Sequence, residues 1–269
     1  MCLIFVAVKQ HQQWPLIMAS NRDEFFSRPS LPGHFWAGQC NLLGGLDQEQ
    51  GGTWLAICRQ GKIAAVTNYR DPSQAEGKLS RGHLVRDFVA SNQSARSYLA
   101  SLTPSQYSGY NLLLGDAQQL FYSSNRGPIL EPLSAGIYGL SNHLLNTPWP
   151  KLRHGKADFE RAIHQANFNV ERLFDVMLDD EPAADSDLPN TGIGLPAERF
   201  LSSRFIAGGD AALQQNPELA NHSNQHRLLN YGTRTTTIVL MDNNGGGRWF
   251  ERNHTLNSIN RTKTVAFSW

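Results

Sequence analysis

The chain has 269 residues, enough to bury a large core in one big domain or two small ones. Its 24 Lys+Arg against 23 Asp+Glu leave a formal net charge of +1, so nothing electrostatic points to nucleic acid or an anionic membrane as partner. No apolar run approaches the roughly 18–20 residues of a membrane span, and three cysteines with no CxxC pair favour a reducing cytoplasm over a disulfide framework or a Cys-rich zinc site.

The chain opens with an apolar stretch, Leu3 to Val8, that reads as a buried strand. It is too short, and lacks the basic start, for a secretory signal. A second strand, Leu16 to Ala19, follows a polar turn ending in Pro15. Thr53–Cys58 and Ile63–Thr67 form an expected hairpin across Arg59-Gln60-Gly61-Lys62. Two short helices come next: Leu84, Val85, Phe88 and Val89 recur at helical spacing, as do Tyr98, Leu99 and Leu102 before Pro104.

Strands return at Asn111–Leu114, Leu120–Tyr122 and Ile137–Ser141. Phe159, Ala162, Ile163 and Ala166 form one helical stripe; Leu173, Phe174, Met177 and Leu178 form another, and both read as core packing. From 179 to 227 the chain is polar, with four prolines, an acidic patch and a short helix near Glu198–Phe205. This reads as a long surface excursion, a candidate lid or docking surface. Strands at Thr235–Met241, Arg248–Glu251 and Thr264–Phe267 close the chain. Strands, then helices, then strands fit antiparallel sheets with helices segregated onto their outer faces. No linker or repeat divides the chain, so 1–269 reads as a single domain.

The candidate chemistry begins at Met1-Cys2. Methionine is removed before a small second residue, which would leave a thiol and a free α-amine on one residue. Their unperturbed pKa values, about 8.5 and about 7.7–8.0, lie close enough for the amine to serve as base to its own side chain. A cysteine in that place is otherwise a small buried hydrophobe. After the second strand come Asn21-Arg22-Asp23-Glu24. A cation there would favour the thiolate and a carboxylate could hold the ammonium, unless the group is only a charged strand end. Asn68 and Asn142 each follow a strand, where a side-chain amide can stabilise an oxyanion or simply make a turn. Arg234 precedes the strand Thr235–Met241 and either completes an anion-binding cluster or lies on the surface.

These residues sit in longer patterns: Met1-Cys2-Leu3-Ile4-Phe5; Ala19-Ser20-Asn21-Arg22-Asp23-Glu24-Phe25-Phe26-Ser27-Arg28-Pro29; Gly44-Gly45-Leu46-Asp47; Gly51-Gly52-Thr53-Trp54-Leu55; Thr67-Asn68-Tyr69-Arg70; Gly139-Leu140-Ser141-Asn142 with Thr147-Pro148-Trp149-Pro150-Lys151-Leu152; and Tyr231-Gly232-Thr233-Arg234-Thr235. The set resembles the NRDE family, the Transport and Golgi organisation protein 2 family. The resemblance implies an N-terminal-nucleophile (Ntn) hydrolase fold, an α+β four-layer α-β-β-α sandwich with two antiparallel sheets between helical layers. It also implies an amidohydrolase site like that of cysteine-type acylases, acting on an amide or thioester with an apolar acyl group. By that likeness Cys2 is the nucleophile and Asp23 orients its amine. Asn68 and Asn142 hold the oxyanion, and Arg22 and Arg234 poise the thiolate. That reaction requires no cofactor.

Arg22 and Asp23 are adjacent, and successive strand residues point to opposite faces. Both reach Cys2 only if the strand ends or bulges there. The family's biology implies an alternative: a non-catalytic carrier of haem or an acyl lipid in intracellular haem trafficking and lipid metabolism. Nine histidines are present, none at a helical HxxxH spacing; His34, His83, His143 and His154 lie near the matched patterns. Oligomeric state is not legible from the sequence.

Overall fold

A computed structural model of the chain describes residues 2–38, 42–73, 77–127, 132–218, 226–256 and 265–268. Cys40 lies outside them.

Two six-stranded antiparallel sheets stack face to face. The first has the order β12-β11-β10-β2-β1-β9. Its strands are β1 (Cys2–Val8), β2 (Leu16–Phe25), β9 (Gly136–Leu140), β10 (Tyr231–Met241), β11 (Gly247–Asn253) and β12 (Val265–Ser268). The second runs β3-β4-β5-β6-β7-β8. Its strands are β3 (Ser30–Phe35), β4 (Leu43–Asp47), β5 (Leu55–Ile57), β6 (Ile63–Asn68), β7 (Tyr110–Gly115) and β8 (Leu120–Ser124).

Strand alternation explains the layers. On β1, Ile4, Val6 and Val8 face the second sheet, where they meet Leu55, Ile57, Ile63 and Leu113 in the central core. Leu3, Phe5 and Ala7 face outward under α3 (Pro150–Ile163) and α4 (Val170–Met177). The other outer layer is α1 (Arg81–Ala90) and α2 (Ala95–Ser101), packed on Ala64, Leu112 and Leu114. The arrangement is the expected four-layer α-β-β-α sandwich.

Three expectations are corrected. The second strand does not stop at Ala19. It continues through the four polar residues to Phe25, flanked by β1 and β10. The segment between Arg28 and Asp47, to which the sequence pattern assigned no element, supplies β3 and β4. The excursion at 179–227 is only partly at the surface. After α5 (Leu195–Phe200), residues 200 to 207 are buried, with Phe200, Leu201 and Ile206 in a small core of their own. A further helix, α6 (Gly209–Gln215), follows, and the short helix placed near Glu198–Phe205 ends at Phe200.

Candidate functional site

Both sheets reach one end of the sandwich, and there a cavity of about 500 Å³ opens. Cys2 lines it from the first residue of β1, with Arg22 and Asp23 from β2 and Asn68 from the end of β6. The thiol is 8% exposed, and it sits at the head of a central strand because β1 is sandwiched between β2 and β9.

Arg22 is the cross-strand partner of Cys2, so its side chain shares the thiol's face. Its guanidinium lies 4.2 Å over the Trp54 ring. Its Nη2 is 3.9 Å from Asp47 Oδ2. Its Nη1 is buried and has no hydrogen-bond partner among the described residues.

Asp23 lies one residue beyond the last β1–β2 pair. It therefore reaches the cavity past the end of β1 rather than through its own strand's break. Its Oδ1 accepts a 2.7 Å hydrogen bond from the Thr233 hydroxyl, and its carbonyl accepts from Tyr231 Oη at 2.9 Å. Its backbone N–H is directed at the Cys2 sulfur. The expected bulge exists, but on β10: the register with β2 shifts between Thr233 and Thr235. Adjacent Arg22 and Asp23 thus both line the cavity. Asn21 does not: its Nδ2 donates to the carbonyls of Met177 and Arg204, both at 2.8 Å, and its Oδ1 accepts from Thr236.

The bulge displaces Arg234. Its Nη1 donates to the carbonyls of Phe25 and Arg28, and it does not line the cavity. It braces the turn after β2 and faces Arg22 as a like charge. Asn142 is fully buried and also lies outside the cavity wall. Its Nδ2 donates to the Asn68 carbonyl at 3.1 Å, and the Arg70 N–H donates to its own carbonyl at 2.7 Å. Asn142 thus ties β9 to the end of β6, and Ser141 Oγ extends the tie to the Cys2 carbonyl at 3.4 Å.

Burial pushes the Cys2 thiol above its ordinary value; the Asp23 carboxylate adds to this, while Arg22 and the Asp23 N–H pull it down. Burial likewise raises the Asp23 carboxyl against the opposing pull of Lys151 and the Thr233 hydroxyl. Lys151 was not singled out in the sequence. It is buried, donates from Nζ to the Leu201 carbonyl at 2.8 Å, and is lowered to about 8 by burial and then by Arg70. Next to it, Arg70 and Glu198 form a buried pair at 2.7 Å. The signal for Lys151 was in the sequence: it lies four residues before Gly155 and eight before Phe159, on the buried face of α3.

The cavity walls are largely polar and charged: Arg28, Glu24, Asp47, Glu49, Lys78 and Arg81 line the space, beside Trp54, Val66 and Leu79. As for the four histidines, His143 has both ring nitrogens engaged, Nε2 with Tyr69 Oη and Nδ1 with Thr147 Oγ1, each at 2.8 Å. Iron ligation there would have to break one of these bonds. Among the described residues, no group of three or more His, Cys, Asp or Glu could hold a metal ion. No helix among them is long and apolar enough to cross a membrane.

A four-layer α-β-β-α sandwich with a thiol-lined polar cavity at the head of a central strand is the class that fold and site define. The sequence profile of the family "Transport and Golgi organisation 2" matches residues 1–255. The mouse Transport and Golgi organization 2 homolog is 35% identical over 291 residues, covering 100% of this chain and 99% of the relative. The Drosophila melanogaster Transport and Golgi organization protein 2 is 31% identical, covering 95% and 93%. The chain belongs to the Transport and Golgi organisation 2 family. Among solved structures, it is similar to a Caenorhabditis elegans N-acylethanolamine-hydrolyzing acid amidase ortholog at TM-score 0.47 and 11% identity, covering 65% of this chain and 85% of that one. A C2A mutant of Clostridium perfringens conjugated bile acid hydrolase is similar at TM-score 0.44 and 11% identity, covering 98% and 92%.

Proposed function

We propose that the protein is a cysteine-type Ntn amidohydrolase that cleaves an amide or thioester bond with Cys2 as nucleophile. The observation that carries the reading is the placement of Cys2, Arg22, Asp23 and Asn68 on the wall of one open cavity. A thiol sealed in the core would be inert.

In this reading Met1 is removed and the α-amine of Cys2 emerges beside Asp23. The buried thiol, held above its ordinary value, needs that amine as its base. Sulfur attacks the carbonyl carbon while the amine takes the thiol proton. The tetrahedral intermediate collapses, the C–N bond breaks, and the amine returns its proton to the leaving nitrogen. Water then hydrolyses the thioester and frees the acid. Arg22, on the thiol's face, lowers the cost of the thiolate. The Asn68 side chain, on the cavity wall, supplies an oxyanion donor, with Asn142 holding the Asn68 backbone in place. Arg234 keeps the turn after β2 in register. The charged walls favour a substrate with a polar acyl or amine part.

Intact mass of the native protein should show loss of Met1. Iodoacetamide should label Cys2, which lines the cavity, ahead of Cys58, which is packed in an apolar cluster, and Cys2→Ala should abolish hydrolysis across a panel of N-acyl amides. Native protein that keeps Met1 would rule the mechanism out.

A further inference from the structure

Trp54 belongs to the central core between the sheets, yet it also lines the cavity. It directly precedes β5, and its carbonyl accepts from the Val66 N–H of β6 at 2.9 Å, which fixes its backbone. Its ring lies against β4. A Cβ on Gly45 would fall 2.2 Å from Cη2 and 2.3 Å from Cζ2 of Trp54, so only glycine there admits the ring. Two glycine-rich patterns of the sequence, Gly44-Gly45-Leu46-Asp47 and Gly51-Gly52-Thr53-Trp54, thus meet at one indole.

The Arg22 guanidinium rests on this indole, 4.2 Å from the ring centre. Arg22 pairs across the strands with Cys2, so the two side chains leave the sheet on one face. Burial raises the thiol above its ordinary value, and Arg22 is one of the groups that pull it back down. For that effect the guanidinium must be held in place and must keep its charge. Asp47 is already engaged elsewhere. Its Oδ2 is 3.9 Å from Arg22 but 2.8 Å from Arg28 Nε, and its Oδ1 accepts from the Glu49 and Gln50 N–H groups at 3.0 and 3.3 Å. A carboxylate in full contact would hold Arg22, but it would also oppose the field at the sulfur with a whole negative charge. A ring face attracts the cation through its quadrupole and carries no net charge.

We propose that Trp54 is a positioning residue, whose ring holds the Arg22 guanidinium on the Cys2 face without cancelling its charge. The role rests on the Cys2-centred function proposed above. The indole orients a charge and takes no part in bond making. The charged and titratable groups that act on the thiol are Arg22 and Asp23 from β2, Lys151 from α3 and Tyr231 from β10. Of these, Arg22 is the one stacked on the indole.

The test reads the pH dependence of Cys2 alkylation by iodoacetamide, followed at the Cys2 peptide by mass spectrometry. The thiolate displaces iodide from the CH₂ carbon and forms an S–C bond, so the rate tracks the thiolate fraction and levels off at high pH. In Trp54→Leu the midpoint should move up by about one pH unit, a roughly tenfold lower rate on the acidic limb, with the high-pH plateau unchanged. Trp54→Phe keeps an aromatic face and should lose roughly threefold. A packing role would change the plateau or the stability and leave the midpoint in place.

Arg22→Met shows whether the effect runs through the cation. It should raise the midpoint at least as far as Trp54→Leu, and adding Trp54→Phe to it should raise it no further. Should Trp54→Leu fail to fold, Trp54→Phe with and without Arg22→Met decides. A midpoint that the Trp54 variants leave unmoved, or a Trp54→Phe shift that persists in Arg22→Met, overturns the positioning role and leaves the nucleophile standing. A Cys2 that resists alkylation at every pH overturns both.

Discussion

Two charged regions flank Asp23, and they are built differently. Behind it, Lys151, Arg70 and Glu198 are closed in. Arg70 and Glu198 are 7% and 3% exposed and 2.7 Å apart, and Glu198 Oε1 also accepts from the Thr191 N–H and hydroxyl. In front of it, Arg22 faces a large cavity with one terminal nitrogen unsatisfied. Matched charge behind and unmatched charge in front separate scaffold from site. A close buried ion pair is costly to break, whereas a buried cation whose nearest carboxylate stands 3.9 Å away is less firmly held.

Breaking the closed side should have the largest effect. Glu198→Ala strands the Arg70 charge and is expected to cost about 3–5 kcal/mol, read as a lowered urea midpoint. Asn21→Ala removes three buried hydrogen bonds that tie β2 to the 177–204 region and to β10. It should cost about 2–3 kcal/mol.

Lys151 sharpens the comparison through pH. Its native pKa, about 8, lies below its ordinary 10.5, so between those values the unfolded chain binds more protons than the native one. Stability should therefore rise with pH from about 8 to about 10.5. Lys151→Met should flatten that rise in urea midpoints measured across the window. Glu49→Ala, on the open side, should have the smallest effect, under about 1 kcal/mol, because its 3.4 Å pair with Arg28 is half exposed. A loss as large as that of Glu198→Ala would show that the two sides are not distinct.

What the sequence revealed follows from what its local patterns encode. The six apolar residues of β1 and the helical stripes of α1 and α4 announce themselves because their partners are simply hydrophobic neighbours. The far half of β2 did not, since Asn21 and Asp23 bond partners 156 to 215 residues away and Arg22 lies against Trp54 of the other sheet's region. Polar residues with such partners are as much part of a sheet as leucines, but no local window shows them.

β3 was hidden by Pro32 and Gly33. It is an edge strand, where proline is tolerated, and its register shifts between Leu31 and His34. Gly33 is needed because a Cβ there would sit 2.8 Å from Glu251 Oε2 and Trp249 Nε1. At the site, family patterns pointed to Cys2, Arg22, Asp23 and Asn68, which the fold gathers on one wall. Arg234 and Asn142 came with the same patterns. Only three-dimensional contacts reveal that they brace backbone instead of facing the cavity.

The position of Cys2 at the mouth end of a central strand has a practical outcome for anyone handling the protein. Polypeptide fused ahead of this residue is joined directly to the cavity wall, because Cys2 is part of that wall. An affinity tag at the front would act as a tethered plug, protecting the thiol from alkylation and occluding small amides. The same tag after the final residue would leave both unaffected.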